Sequence, residues 1–190
     1  MRSIHNGSRK AYSSQPSLGD VGASSNETAA YSAGAELVFA GEYEAAIEKL
    51  SEAIRLDPRY APAYSSRGSA YLHTGESQAA IQDYDTTIRL APGNLDLADD
   101  YYNRGFVYQT IGEYQQAIED FTQAIRSNPV RADLYESRAS AYDKLGEEQK
   151  ANSYRAIACQ VDQTFCGAAQ PPLPQAHPRL LNHGADYYVR

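Results

Sequence analysis

Residues 98–131 read ADDYYNRGFVYQTIGEYQQAIEDFTQAIRSNPVR, and their apolar spacing decides the fold. Tyr101, Gly105 and Tyr108 recur at the intervals of one helical face, and Ala117, Phe121, Ala124 and Ile125 do the same in the second half. Gly112 falls between the two halves, where a residue free to adopt positive φ ends the first helix. Pro129 ends the second, because its ring cannot continue the hydrogen-bond ladder. The stretch therefore reads as two amphipathic helices joined by a tight turn.

The same pattern is written along most of the chain. Pro58 and Pro92 lie 34 residues apart, the period of a helix-turn-helix repeat, and Pro92 and Pro129 lie 37 apart. Registering on these prolines aligns Gly34, Gly68, Gly105 and Ala139, then Gly41, Gly75, Gly112 and Gly146, then Ala46, Ala80, Ala117 and Ala151. Four units follow, at 27–60, 61–94, 98–131 and 132–165, and Gly93 to Leu97 absorb the three additional residues before the third. The expected fold is all-α, an α-solenoid of stacked antiparallel helix pairs, each contacting only its neighbours. Flexible segments are expected at 1–26, rich in Ser, Gly and Asn, and at 166–190, which holds four of the nine prolines.

Glycine inside a helix costs about 1 kcal/mol against alanine, so Gly68 and Gly105 make sense where two helices cross closely. Tyr64, Tyr71, Tyr84, Tyr101, Tyr108 and Phe121 then fill the space beside those crossings. Arg67 and Asp83 are equidistant from Gly75, and Arg104 and Asp120 from Gly112, so an antiparallel hairpin turning at each glycine sets each Arg opposite its Asp. Two ion pairs within units are predicted.

These columns resemble the tetratricopeptide repeat over residues 27–165. The third unit carries Tyr101, Gly105, Tyr108, Ala117, Phe121, Ala124 and Pro129 as that family does. Departures are Thr87 in the second unit, Ala30 and Leu37 in the first, and Ala139, Arg155 and Gln163 in the fourth. The resemblance implies a right-handed superhelix whose first helices line a concave groove for a peptide or helix of another protein. By that resemblance the groove residues are Tyr31, Ala35 and Phe39, then Ser65, Ser69 and His73, then Tyr102, Phe106 and Gln109, and finally Glu136, Ser140 and Asp143. Tyr102 and Phe106, one helical turn apart, stand out as the anchor point. Family members that clamp the carboxylate tail of heat-shock chaperones use Lys, Arg and Asn on this wall. Here Tyr31, Ala35, Ser66 and Asp99 occupy such places and only Asn103 fits, which disfavours that ligand.

Charge narrows the partner. The formal net charge is −7, and residues 27–165 alone hold twelve basic and twenty-two acidic side chains. Nucleic acid demands clustered Lys and Arg, so a peptide with basic residues and an apolar anchor is the better match. His5, His73, His177 and His183 are scattered, and no zinc-site spacing or phosphate-binding glycine loop occurs, so neither an enzyme nor a cofactor is expected. A small chaperone for a secreted or membrane-targeted client and a self-associating assembly factor are the alternative functions.

The ends carry weaker signals. Met1 to Asn6 has no following apolar run, which gives the expectation of a cytoplasmic protein without membrane insertion, or a secreted or periplasmic one if the true start lies upstream. Ser24 and Glu27 form a capping-box pattern, the expected start of the first helix. Cys159 and Cys166 lie seven apart, about 10 Å along a continuous helix, too far for a disulfide. Pro171-Pro172-Leu173-Pro174 has a PxxP spacing, and Arg179-Leu180-Leu181 and Tyr187-Tyr188-Val189 are apolar for a terminus. A repeat array needs its last face covered; either this tail folds back as a cap, or two arrays meet end to end as a homodimer.

Overall fold

The computed structural model describes residues 18–91 and 97–166. In these, eight α-helices follow one another: α1 (Leu18–Ala40), α2 (Tyr43–Leu56), α3 (Ala61–Thr74), α4 (Ser77–Leu90), α5 (Ala98–Thr110), α6 (Tyr114–Ser127), α7 (Ala132–Lys144) and α8 (Glu148–Val161). Each packs on the next, and the first helices α1, α3, α5 and α7 also touch in succession. The second helices make no comparable contact with one another, so the stack closes toward the first helices, which form its inner wall. Pro92 to Asp96, and with them most of the expected insertion, lie outside the described residues, as do the terminal PxxP and apolar tail motifs.

Each hairpin turns where the glycine column places it. Gly112 has φ 85°, and Gly41, Gly75 and Gly146 have φ 80°, 82° and 75°. At the third unit Gly112 N–H donates to the Gln109 carbonyl at 3.2 Å and Glu113 N–H to the Tyr108 carbonyl at 2.9 Å, closing the carbonyls that the helix end leaves open. Beyond the turn the two helices cross tightly. A Cβ added to Gly105 would stand 2.9 Å from Cε1 of Phe121, closer than side-chain carbons pack. Ala46, Ala80, Ala117 and Ala151 are fully buried at the same crossings, with Tyr84 and Phe121 filling the space beside them.

Both predicted ion pairs form, each as a two-bond fork. Arg67 Nε and Nη2 donate to the Asp83 carboxylate at 2.8 Å each, and Arg104 Nε and Nη2 donate to Asp120 at 2.8 and 2.6 Å. The third nitrogen does something that reading one unit at a time misses. It reaches back to the second helix of the preceding unit: Arg67 to Ser51 Oγ at 2.9 Å, Arg104 to Asp85, and Arg138 to Thr122 Oγ1 at 3.1 Å. One arginine per seam therefore ties three helices together. In the fourth unit Tyr154 stands where the aspartate would, and the Arg138 guanidinium lies 3.7 Å from the centre of its ring. Burial there holds the Arg138 guanidinium below its usual range. Tyrosines add a second fastening, since Tyr64 and Tyr135 donate to the carbonyls of Pro58 and Pro129 in the preceding unit at 3.2 and 3.0 Å.

Two sequence expectations are corrected. Helix α1 begins at Leu18 and runs through the Ser24–Glu27 pattern, so no helix start occurs there and helix occupies part of the segment expected to be flexible. Cys159 and Cys166 form a disulfide, with Cα atoms 4.7 Å apart. The 10 Å estimate assumed a continuous helix, whereas α8 stops at Val161 and a 3-10 helix, Gln163–Phe165, turns the chain back. Asp162 organises that turn by accepting from Thr164 N–H at 2.9 Å and Thr164 Oγ1 at 2.8 Å. These hydrogen bonds hold its carboxyl below the usual range.

Replacing Asp120 with Ala strands a guanidinium that is 16% exposed, leaving it Asp85 alone. We expect Asp120→Ala to lose about 3 kcal/mol of stability, the scale for breaking a buried pair from one side. Denaturant unfolding measures it, and an unchanged midpoint contradicts the fork's structural role.

Candidate functional site: the inner wall

Wall residues from the four first helices meet three different fates. In the first unit Tyr31 is half-buried, its ring set edge-on to Tyr60 with centroids 5.2 Å apart, while Phe39 projects with 96% of its surface exposed. In the second, the His73 ring stacks on Tyr43 at 4.4 Å and its Nδ1 lies 2.8 Å from the Ser69 carbonyl, which that nitrogen reaches as an N–H donor. The third unit holds Tyr102 against Phe121 at 5.9 Å, with the Arg131 guanidinium 5.5 Å from its ring centre. Phe106, 39% exposed, leaves more of its ring on the surface than Tyr102 does. Gln109 Nε2 donates to Ser140 Oγ at 3.5 Å, linking α5 to α7.

The fourth unit's acids are already engaged. Arg155 stands in the column that holds Leu50, Tyr84 and Phe121 elsewhere, and its side chain donates to Glu136 at 3.3 Å and to Asp143. Glu136 and Asp143, named on this wall from the sequence, thus share a single guanidinium, which offsets one of their two charges. At the preceding seam Arg131 acts in the same way, pairing with Asp99 and with Asp133.

Between α3 and α5 the wall conceals a polar layer. Asp100 is only 7% exposed, and its Oδ1 accepts from Ser65 Oγ at 2.6 Å. Burial pushes its carboxyl above the usual range, against the pull of the Ser65 hydroxyl. Tyr84, fully buried, places its hydroxyl beside Ser69, Asn103 and Asp100 without completing a hydrogen bond of good geometry. Burial, with the charge of Asp100, pushes that phenol above its ordinary value. Sequence reasoning missed Asp100 and the polar role of Tyr84. The available signal was a charged residue in a column otherwise held by Ala63 and Leu134.

Comparison with known proteins agrees with this architecture. A TPR repeat model matches residues 34–75, and tetratricopeptide repeat models match 59–129 and 102–159. The chain belongs to the tetratricopeptide repeat family. Among solved structures, a crystal structure of MamA is 32% identical, covering 73% of this chain and 80% of that one, with a TM-score of 0.69. A second MamA crystal structure is 29% identical over 83% of each chain, also with a TM-score of 0.69. The crystal structure of the APC/C hetero-tetramer Cut9-Hcn1 is similar in fold alone, at 16% identity, a TM-score of 0.68 and coverage of 73% of this chain and 27% of that one. No curated protein sequence matches. Tetratricopeptide arrays are protein-interaction scaffolds rather than catalysts, and among the described residues no helix is long and apolar enough to cross a membrane.

Asp100 supplies a check on the polar layer. Its folded carboxyl titrates above the unfolded one, so its contribution is most favourable at low pH and is lost as pH rises through the folded value. Asp100→Asn, which still accepts from Ser65, should melt at or above the parent near neutral pH, with the gap narrowing toward the ordinary carboxylate range. A variant that melts lower at every pH contradicts the desolvated carboxylate.

Proposed function

We propose that the chain is a non-catalytic interaction module that receives an extended peptide or a helix of a partner along the inner wall. The observation that carries this is Phe106, a large apolar side chain 39% exposed on α5 beside the half-buried ring of Tyr102. An aromatic pair of this kind is a suitable anchor, since buried aromatic contacts dominate binding at most interfaces. Tyr31, Phe39, Ser69, His73 and Gln109 extend the surface along the same wall. Glu136 and Asp143 share Arg155 and remain part-exposed, so a basic partner would meet them beside that arginine.

Electrostatics support a partner with basic residues next to its apolar anchor, because the repeats carry the chain's excess of acid. A cytoplasmic setting is the sequence expectation; the Cys159–Cys166 disulfide weighs against it, since such bonds persist where the environment is oxidising. A homodimer through the last unit is part of this proposal, and the capping tail lies outside the described residues.

Affinity purification with the native chain and with a Tyr102→Ala, Phe106→Ala double variant tests the reading. Partners held by the anchor should drop at least tenfold in the variant, about 1.4 kcal/mol or more. Retention of every partner by a folded variant places binding elsewhere.

A further inference from the structure

Where one repeat meets the next, the third residue of the incoming first helix packs into the seam. Ala63 and Leu134 fill that place with apolar groups, and Asp100 fills it with a carboxylate. At the same seam Tyr84 replaces the apolar Leu50 and Phe121 of its column, adding a buried hydroxyl without a hydrogen-bond partner. Both polar groups lie in one layer, and each costs desolvation that Ala63, Leu134, Leu50 and Phe121 do not.

No basic side chain among the described residues reaches Asp100. Arg67 and Arg104 are committed to Asp83 and Asp120, and Arg131 to Asp99 and Asp133. Among the described residues, the hydrogen bond that reaches the Asp100 carboxylate in this layer comes from Ser65, which is half-exposed on the wall and links the buried carboxylate to it. The Tyr84 hydroxyl lies under Ser69 and Asn103, which are also half-exposed on that wall.

We propose that the α3–α5 seam is a subsite for an ammonium group, the lysine side chain of a peptide lying in the groove. This rests on the groove reading above and names the chemistry of one of its positions. An ammonium has three donors and no acceptor, and the seam presents Asp100 as counter-charge with the hydroxyls of Ser65, Tyr84 and Ser69 in the same layer. A guanidinium fits less well, because its planar fork favours two carboxylate oxygens and Oδ1 of Asp100 is already engaged by Ser65.

The test is an NMR titration of the isotope-labelled full chain with n-butylammonium as the probe, beside 1-butanol and n-butylguanidinium. The expected result is saturable shifts at the amides of Ser65, Ser69, Asp100 and Asn103 with n-butylammonium, at least tenfold weaker with either comparison compound. Asp100→Asn should abolish them and Tyr84→Phe weaken them several-fold, with the dispersed spectrum of each variant showing that it folds. Shifts absent from the seam, equal for 1-butanol, or unchanged in Asp100→Asn overturn the proposal. If the Tyr102→Ala, Phe106→Ala variant loses partners that Asp100→Asn keeps at full strength, the subsite fails and the groove stands. If the seam binds n-butylammonium while the aromatic variant keeps every partner, the aromatic anchor fails instead.

Discussion

The close crossing of two helices within each unit is the constraint from which the rest follows. At the third unit the backbone of Gly105 lies so near Phe121 that a single added methyl would stand 2.9 Å from the ring. Helices that approach this far bring the residue before the glycine within reach of the facing helix, which is how Arg104 meets Asp120. The same arginine is then long enough to touch Asp85 in the unit before. A local packing choice thereby becomes the connection between units, repeated by Arg67 and, with an aromatic ring in place of the acid, by Arg138. Arg67 and Arg104 hold their place by forked hydrogen bonds to a carboxylate, which is costly to remove from one side, whereas Arg138 has a single hydrogen bond and an aromatic ring.

That arrangement also determines what the inner wall can offer. Charges in the seams are used internally, and Arg131 and Arg155 offset two of the four charges on Asp99, Asp133, Glu136 and Asp143. What remains open is apolar at Phe39 and Phe106, polar around Ser65 and Ser69, and backed by an unneutralised carboxylate at Asp100. On the proposed reading, recognition rests on an aromatic anchor with a nearby negative layer, a sharper description than an acidic surface.

Features that depend on one unit were legible in the sequence. The turn glycines and the Arg–Asp pairs follow from positions counted symmetrically about a turn, because an antiparallel hairpin converts sequence distance into contact. Features that depend on two units, or on a helix that ends without glycine or proline, were not. Asp100 is buried by the preceding unit, and Arg155 is drawn to Glu136 and Asp143 by charges that no column aligns with it. The Cys159–Cys166 bond was excluded on the assumption of an unbroken helix, and Asp162 ends that helix without the proline that follows α2 and α6. Groove residues were named by resemblance alone, and the structure shows that several of them are held by neighbours before any partner arrives.

The central claim is that partners meet the first helices rather than the outer surface. A photo-cross-linking amino acid placed at Phe106 on α5, and in a separate protein at exposed Glu119 on α6, tests this most directly. Discrete adducts from position 106 and none from position 119 are the predicted result. Adducts that form from position 119 alone, or equally from both, contradict it.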